Sequence, residues 1–273
     1  MPPIQHSDVG AYALATGEAA DHRLRILHGL YGPGTRRVLL EAGLRPGMRI
    51  ADLGCGVGMV TAQIAELVGP TGQVVGVDFS AAQVAQARER WGGKLTNATF
   101  VEASATATGL PAESFDLVYS RFLLIHLADP EAALREKRRL LKPGGILVCE
   151  DGDLTNSGSL PTSALNAFAK LWGRLGPFRG VDYTLGRRLY HLVAAAGFPA
   201  SEVAFNQPVA ARGEGKRLLD LSVAEAGPAF LAAGLLTAEA LEATLAEMRR
   251  LEADEMVVAV MPRMTQVWAR KPG

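Results

Sequence analysis

Apolar residues fall into two rhythms that alternate between residues 48 and 150. Short apolar runs of strand length occur at 48–53, 73–78, 98–102, 115–120 and 145–150. Between them lie stretches at 59–69, 80–91 and 130–141 whose apolar positions recur every three to four residues, the period of a helix with one buried face. Strands and helices in this order predict βαβ units and a mostly parallel sheet, with right-handed crossovers placing helices on both faces. Ligands of such sheets lie beyond the carboxyl ends of the strands, beside the switch in strand order.

The flanks are mainly helical. Leu24, Leu27 and Leu30/Tyr31 predict an amphipathic helix over 21–31, stopped by Gly32-Pro33-Gly34. A second helix is expected from Arg36 to Ala42, capped by Thr35 and ended by Gly43. Beyond residue 150, Asp151–Gly158 reads as a loop, Thr162–Leu175 and Leu185–Ala196 as helices, and Ser201–Asn206 as a strand. Lys216–Gly227, Pro228–Ala233 and Ala238–Met256 read as helices, and Gln266–Arg270 as a final strand. The expected division is an N-terminal helical lid (1–47), a ligand-binding α/β core (48–150), a helical cap insertion (151–183), a core continuation (184–212), a second cap insertion (213–256) and the last core strand (257–273).

Composition narrows the classes. The 273 residues, 48% of them apolar, suffice for one large α/β domain with a helical cap. No apolar run approaches the ~18 residues of a spanning helix. The stretch Met1–Asp8 lacks the basic start and apolar centre of a secretory signal. A formal net charge of zero gives no support for nucleic acid or anionic lipid as partner. The basic cluster Arg135–Arg139 falls on a predicted helix and reads as a solvated face. Cys55 and Cys149 have no CxxC spacing and read as free thiols of a reducing, cytoplasmic protein.

Candidate chemistry gathers where the first strand runs into Asp52-Leu53-Gly54-Cys55-Gly56-Val57-Gly58 and a helix follows from Met59. Glycines there let the chain turn sharply and let a ligand lie on bare main chain beside the N–H groups of a helix start. A dinucleotide fold uses G-x-G-x-x-G; here three glycines alternate, and Met59 breaks that spacing. Asp-x-Gly-x-Gly-x-Gly instead resembles the first motif of class I S-adenosylmethionine-dependent methyltransferases. Val74–Ser80, a strand ending in Asp78, matches next in order, as do Phe115–Ser120 and the turn and strand Leu140–Val148. His126-Leu127-Ala128-Asp129-Pro130 is similar to the small-molecule branch that includes ubiquinone and menaquinone methyltransferases.

The resemblance implies a Rossmann-like, doubly wound, seven-stranded, mostly parallel sheet with one antiparallel strand, helices on both faces and a helical cap. It also implies S-adenosylmethionine lying across the ends of the first, second and fourth strands, with S-adenosylhomocysteine as product. The amino-acid end would rest on Gly54, Gly56 and Gly58, with Asp52 orienting that loop and Cys55 packed within it. Asp78 would hold the ribose hydroxyls, and the adenine would lie between Phe79 and Ser104–Ala105. Ser104 stands where relatives often carry an acid; its hydroxyl can still accept a hydrogen bond. Ser120 and Arg121 are expected to face the cleft, where Arg121 would hold the cofactor's carboxylate or an anionic substrate group, or else pair with a helix end.

Methyl transfer is an in-line displacement at a sulfonium carbon, and an O or N acceptor must also lose a proton. The candidate catalytic residues are His126, which titrates near neutrality, Tyr12 on the lid, and Asp151. For His126 the alternative is a packed, hydrogen-bonded structural histidine. Glu150, Asp151 and Asp153 are expected on the substrate rim, to bind a cationic amine, act as base, or simply solvate a loop; no metal site is expected. Phe168, Trp172 and Phe178 read either as helix core or as a pocket wall. The acceptor is expected to be a small molecule, with O, N or C methylated, and a homodimer is compatible with the chain. Two other functions remain open: a cyclisation or rearrangement without net transfer, and a non-catalytic cofactor-binding partner.

Overall fold

Strands read from apolar runs become the centre of one sheet. The computed structural model describes residues 18–162 and 164–273. In chain order the elements are α1 (Glu18–Ala42), β1 (Arg49–Leu53), α2 (Met59–Val68), β2 (Gln73–Asp78), α3 (Ala81–Trp91), β3 (Ala98–Glu102), β4 (Phe115–Arg121), α4 (Pro130–Leu140) and β5 (Leu141–Asp153). The second half contains β6 (Gly158–Leu160), α5 (Ala164–Arg179), α6 (Leu189–Ala195), β7 (Glu202–Asn206), β8 (Val209–Ala210), α7 (Leu218–Ala232), α8 (Ala238–Ala253), β9 (Val258–Val260) and β10 (Arg263–Arg270). The seven-stranded sheet has the order β3-β2-β1-β4-β5-β10-β7. Strands β1 to β5 pair in parallel, and β10 runs antiparallel to both β5 and β7. The switch in strand order falls between β1 and β4, so the carboxyl ends of those strands open the crevice in which a ligand can sit.

Local chemistry explains the crossover helices. Ser80 caps α3 by accepting from the Gln83 N–H at 3.4 Å, and Asp129 caps α4 by accepting from the Ala132 N–H at 2.8 Å. Pro130 fills the first position of α4, where its missing N–H costs nothing, and Lys137, Arg138 and Arg139 fill the last turn. The basic face is not wholly solvated, however. Lys137 is fully buried, its ammonium hydrogen-bonded to the Ser120 hydroxyl and 3.3 Å from the Cys149 sulfur. Glu136 is also buried; Arg139 above all, with the Thr108 hydroxyl and N–H, holds its carboxyl down at about 2.

Two further expectations are corrected. Gly32-Pro33-Gly34 does not end the N-terminal helix; α1 runs through it to Ala42. Proline removes one N–H and crowds the preceding turn, which ordinarily breaks a helix. Here side chains from the sheet and α2 take up the neighbouring carbonyls. The Tyr31 carbonyl accepts from Asn206 at 3.3 Å, Gly32 from Gln63 at 3.1 Å and Gly34 from Gln266 at 3.2 Å. Asn206 comes so close that a Cβ on Gly34 would lie 2.1 Å from its amide nitrogen. Likewise, Asp151–Asp153 are strand rather than loop, because β10 pairs with β5 in unbroken register from Ile146↔Arg270 to Asp153↔Arg263.

A second, three-stranded sheet, β6-β9-β8, joins the chain after β5 to the segment before β10. Its strands are two or three residues long, too short to carry a readable alternation. Among the described residues no helix is long and apolar enough to cross a membrane.

Candidate active site

A cavity of about 400 Å³ opens at the carboxyl ends of β1, β2 and β4 and continues beneath α1, α5, α7 and α8. Its floor is the turn between β1 and α2. Gly54, Gly56 and Gly58 have φ of +74°, +54° and +77°, a region that L side chains disfavour. The Gly54 and Cys55 N–H groups both donate to the Val77 carbonyl, at 2.7 and 3.0 Å, and thereby tie the loop to β2. The Trp91 indole donates to the Val57 carbonyl at 2.9 Å from the other side. Asp52 is buried at the root of the loop and accepts from the Thr61 hydroxyl at 2.6 Å. Burial raises its carboxyl to about 6. Cys55 is buried too, and desolvation pushes its thiol up, so it packs rather than reacts.

Asp78 ends β2 and reaches back to the same loop. One oxygen accepts from the Gly56 N–H at 2.8 Å and the other from the Ser80 N–H at 2.9 Å. Burial raises its pKa against those bonds. Each oxygen keeps a lone pair for a further donor. Phe79 beside it is 57% exposed and lines the cavity, as do Ser104 and Ala105. Ser104 spends its hydroxyl on the Thr106 hydroxyl at 2.8 Å and the Thr106 N–H at 3.2 Å.

Strand alternation separates Ser120 from Arg121. Tyr119 and Arg121 line the cavity, whereas Ser120 projects to the opposite face, against Lys137 of α4. The expectation that Ser120 faces the cleft is therefore not met. Arg121 donates to the Thr35 hydroxyl at 3.1 Å, and Thr35 donates to Glu150 at 2.8 Å. The chain then leaves β4 through Phe122 at φ +50°, a costly conformation for a bulky side chain, held by its N–H on the Glu150 carbonyl at 2.8 Å.

The three carboxylates expected on the rim are inside. Glu150 accepts from Thr35 and from Gln266 at 3.2 Å; burial raises it to about 7. Asp151 accepts from the Leu124 and Ile125 N–H groups at 3.1 and 3.3 Å; burial raises it to about 7, against the charge of Lys137. Asp153 is held by Arg187 at 2.7 Å. None of the three lines the cavity. Among the described residues no cluster of metal-ligating side chains occurs.

Asp151 instead grips the short 3-10 turn Leu124–His126, whose last residue does line the cavity. The His126 ring meets Tyr183 edge-on at 5.7 Å. Burial first, then the charges of Arg23 and Arg179, lowers its pKa to about 3, so the imidazole is neutral at physiological pH. Tyr12 lies outside the described residues. Trp172 and Phe168 line the cavity, while Phe178 is 58% exposed on the outer side of α5. Arg23 and Arg179 were not anticipated here. Arg23 had a legible signal: it sits four residues before Leu27 and eight before Tyr31, on the apolar stripe of α1.

A family model described as a methyltransferase domain matches residues 51–149. The ubiquinone/menaquinone biosynthesis C-methyltransferase UbiE of Shewanella frigidimarina is 40% identical over 115 residues, which is 41% of this chain and 46% of that protein. The chain thus spans about half the length of the curated relatives it matches. Two solved structures share the fold. Phosphoethanolamine N-methyltransferase 2 of Haemonchus contortus, in complex with S-adenosyl-L-methionine, has a TM-score of 0.53 at 19% identity, over 93% of this chain and 53% of its own. The [4+2]-cyclase SpnF has a TM-score of 0.55 at 21% identity, over 97% of this chain and 86% of its own. Residues 51–149 thus match a methyltransferase domain, and over about that part of its length the chain is similar to the quinone C-methyltransferases.

Proposed function

We propose that the protein transfers a methyl group from S-adenosylmethionine to a small-molecule acceptor enclosed beneath the helical cap. One observation carries this reading: the glycine floor with Asp78 and the aromatic chamber under the cap line a single continuous cavity. The residues fit the cofactor. Gly54 and Gly56 hold positive φ, which L side chains rarely adopt, and a Cβ there would also press on Leu123 and Gln83 at 2.9 Å, so the floor favours bare main chain. Gly54, Gly56 and Gly58 support the amino-acid end, Asp78 the ribose, and Phe79 with Ser104 and Ala105 the adenine. Arg121, across from Asp52, serves the carboxylate. The bound cofactor supplies an activated methyl group on a sulfonium.

The chain's own contribution is alignment and exclusion of water. Fixing donor and acceptor in line can be worth ~7–11 kcal/mol of barrier. Leu24, Leu27 and Tyr31 of α1 wall the cavity between floor and cap and keep solvent from the line of transfer. His126, neutral at working pH, accepts a hydrogen bond from an acceptor hydroxyl or amine and orients it. Asp151 acts as a positioning residue through the turn that carries His126.

The test is calorimetric binding of S-adenosylhomocysteine, followed by turnover of labelled cofactor with candidate acceptors. Binding that is absent, or that persists unchanged in Asp78→Ala, would sink the proposal. A cyclase shares this fold, so release of S-adenosylhomocysteine in step with product is the readout that marks transfer.

A further inference from the structure

The cap end of the cavity brings two arginines and a group of aromatic rings together. Arg23 of α1 is only 4% exposed and lines the cavity. Its Nε donates to Glu225 of α7 at 2.8 Å. The pair is made through one atom on each side, so both terminal guanidinium nitrogens are uncommitted among the described residues, and Glu225 Oε1 is buried without a partner. Arg179, the last residue of α5, also lines the cavity and hydrogen-bonds the Tyr183 hydroxyl. Both arginines bear electrostatically on His126. Among the described lining residues the only acids are Asp52 and Asp78, and both belong to the floor. Trp172, Tyr183 and His126 line the same chamber: Trp172 meets Tyr183 edge-on at 5.4 Å, Tyr183 meets His126 edge-on, and Phe230 backs Trp172 edge-on at 5.4 Å from behind the lining. Phe168, Leu219 and Val223 complete an apolar surround.

A buried guanidinium bound through its Nε alone among the described residues can receive a further acceptor on its terminal nitrogens, and a planar carboxylate is the best geometric match for that fork. We infer that the methyl acceptor is an organic anion, a small aromatic or otherwise flat apolar body carrying a carboxylate that Arg23 and Arg179 receive under the cap. The inference rests on the methyltransferase reading only for what becomes of the molecule once bound. Arg23 is already offset by Glu225, so Arg179 supplies the net charge that disfavours an amine, while a neutral analogue forgoes the charge-assisted bonds to the fork. The anion also offsets the positive field at His126, which favours a proton on that imidazole.

Calorimetry on the protein saturated with S-adenosylhomocysteine tests this with 4-hydroxycinnamate, its methyl ester and tyramine. The acid is expected to bind about 10- to 100-fold more tightly than the ester, and tyramine not at all. Arg23→Lys, which keeps a cation beside Glu225 but loses the fork, and Arg179→Gln should each bring the acid close to the ester without changing affinity for S-adenosylhomocysteine. The acid–ester comparison on the unaltered protein stands even if a variant does not fold. Equal or tighter binding of the ester, tighter binding of tyramine, or no binding of either acid or ester overturns the inference. So does a matching loss of S-adenosylhomocysteine affinity in Arg23→Lys, because the fork would then serve the cofactor. Failure of S-adenosylhomocysteine to bind the unaltered protein counts against methyl transfer alone, and the acid–ester comparison is then read without it.

Discussion

Replacing Gly58 by alanine should damage the glycine loop by a calculable amount. Gly58 caps α2 at φ +77° and ψ +19°. An alanine held in the left-handed region costs about 1–2 kcal/mol. A Cβ built there lies 2.7 and 2.8 Å from Phe100 Cε1 and Cζ and 2.9 Å from Trp91 Cδ1. Neither ring yields easily: Phe100 is buried in β3, and the Trp91 indole is anchored on the Val57 carbonyl. Overpacking of this kind adds about 1–3 kcal/mol. The sum, about 2–5 kcal/mol, lowers the melting temperature of a domain this size by roughly 4–20 °C. Gly93→Ala is the matched control, with φ +79° and nothing within 4 Å of the new Cβ; it should cost only the backbone part. Phe100→Leu makes room, so in a double-mutant cycle it should recover much of the Gly58→Ala loss. Calorimetric melting of the parent, the three single variants and the double variant, with S-adenosylhomocysteine titrations alongside, reads all of this. If Gly58→Ala proves no worse than Gly93→Ala, or if Phe100→Leu recovers nothing, the loop does not lean on that aromatic shelf as argued.

Other expectations are shorter. Asp78→Asn turns an amide donor toward either the Gly56 or the Ser80 N–H, costs about 1–3 kcal/mol, and should weaken S-adenosylhomocysteine in calorimetry; unchanged affinity would contradict the role given to that carboxylate. Asp52 has a raised folded pKa of about 6, so the folded protein holds this proton more tightly than the unfolded chain. Its contribution therefore falls as pH rises from about 4 to about 6, and Asp52→Asn should gain up to about 3 kcal/mol over the parent at pH 8 and nothing at pH 4, measured by urea unfolding without ligand. Thr35→Val removes the hydroxyl between Arg121 and Glu150 and should cost about 1–3 kcal/mol in the same unfolding assay; a neutral result would mean the three groups are not coupled.

Much of the centre of this protein is legible in its residues because two periods alternate there without interruption. The helices over 59–68, 81–91 and 130–140 and the strands at 49–53, 73–78 and 98–102 lie within a residue or two of where apolar spacing puts them. The glycine turn is legible for a different reason, since alternate glycines after a strand have few other uses. What escaped depends on distant partners. Glu150 and Asp151 look like rim residues until β10, more than a hundred residues later, pairs alongside them. Ser120 and Arg121 are neighbours in sequence but belong to opposite faces, and one residue of register decides which meets the cavity. Pro33 reads as a helix stop because the side chains that answer its neighbouring carbonyls come from α2, β7 and β10. His126 looks like a neutral-pH base because sequence displays neither its burial nor the two arginines that bear on it.

The pegging of α1 at Tyr31, Gly32 and Gly34 has a mechanical corollary. Three side chains from three elements clasp one turn of the rod near its middle, so it has a fulcrum and cannot slide along its axis. Downstream of that turn, Val38 and Leu39 are sunk in the core and stay put while the chamber fills and empties. The upstream arm is tied at its own end by Arg23 to Glu225, Asp21 to Arg90 and His22 to Glu214, so any tilt about the clasp would have to undo these three contacts together.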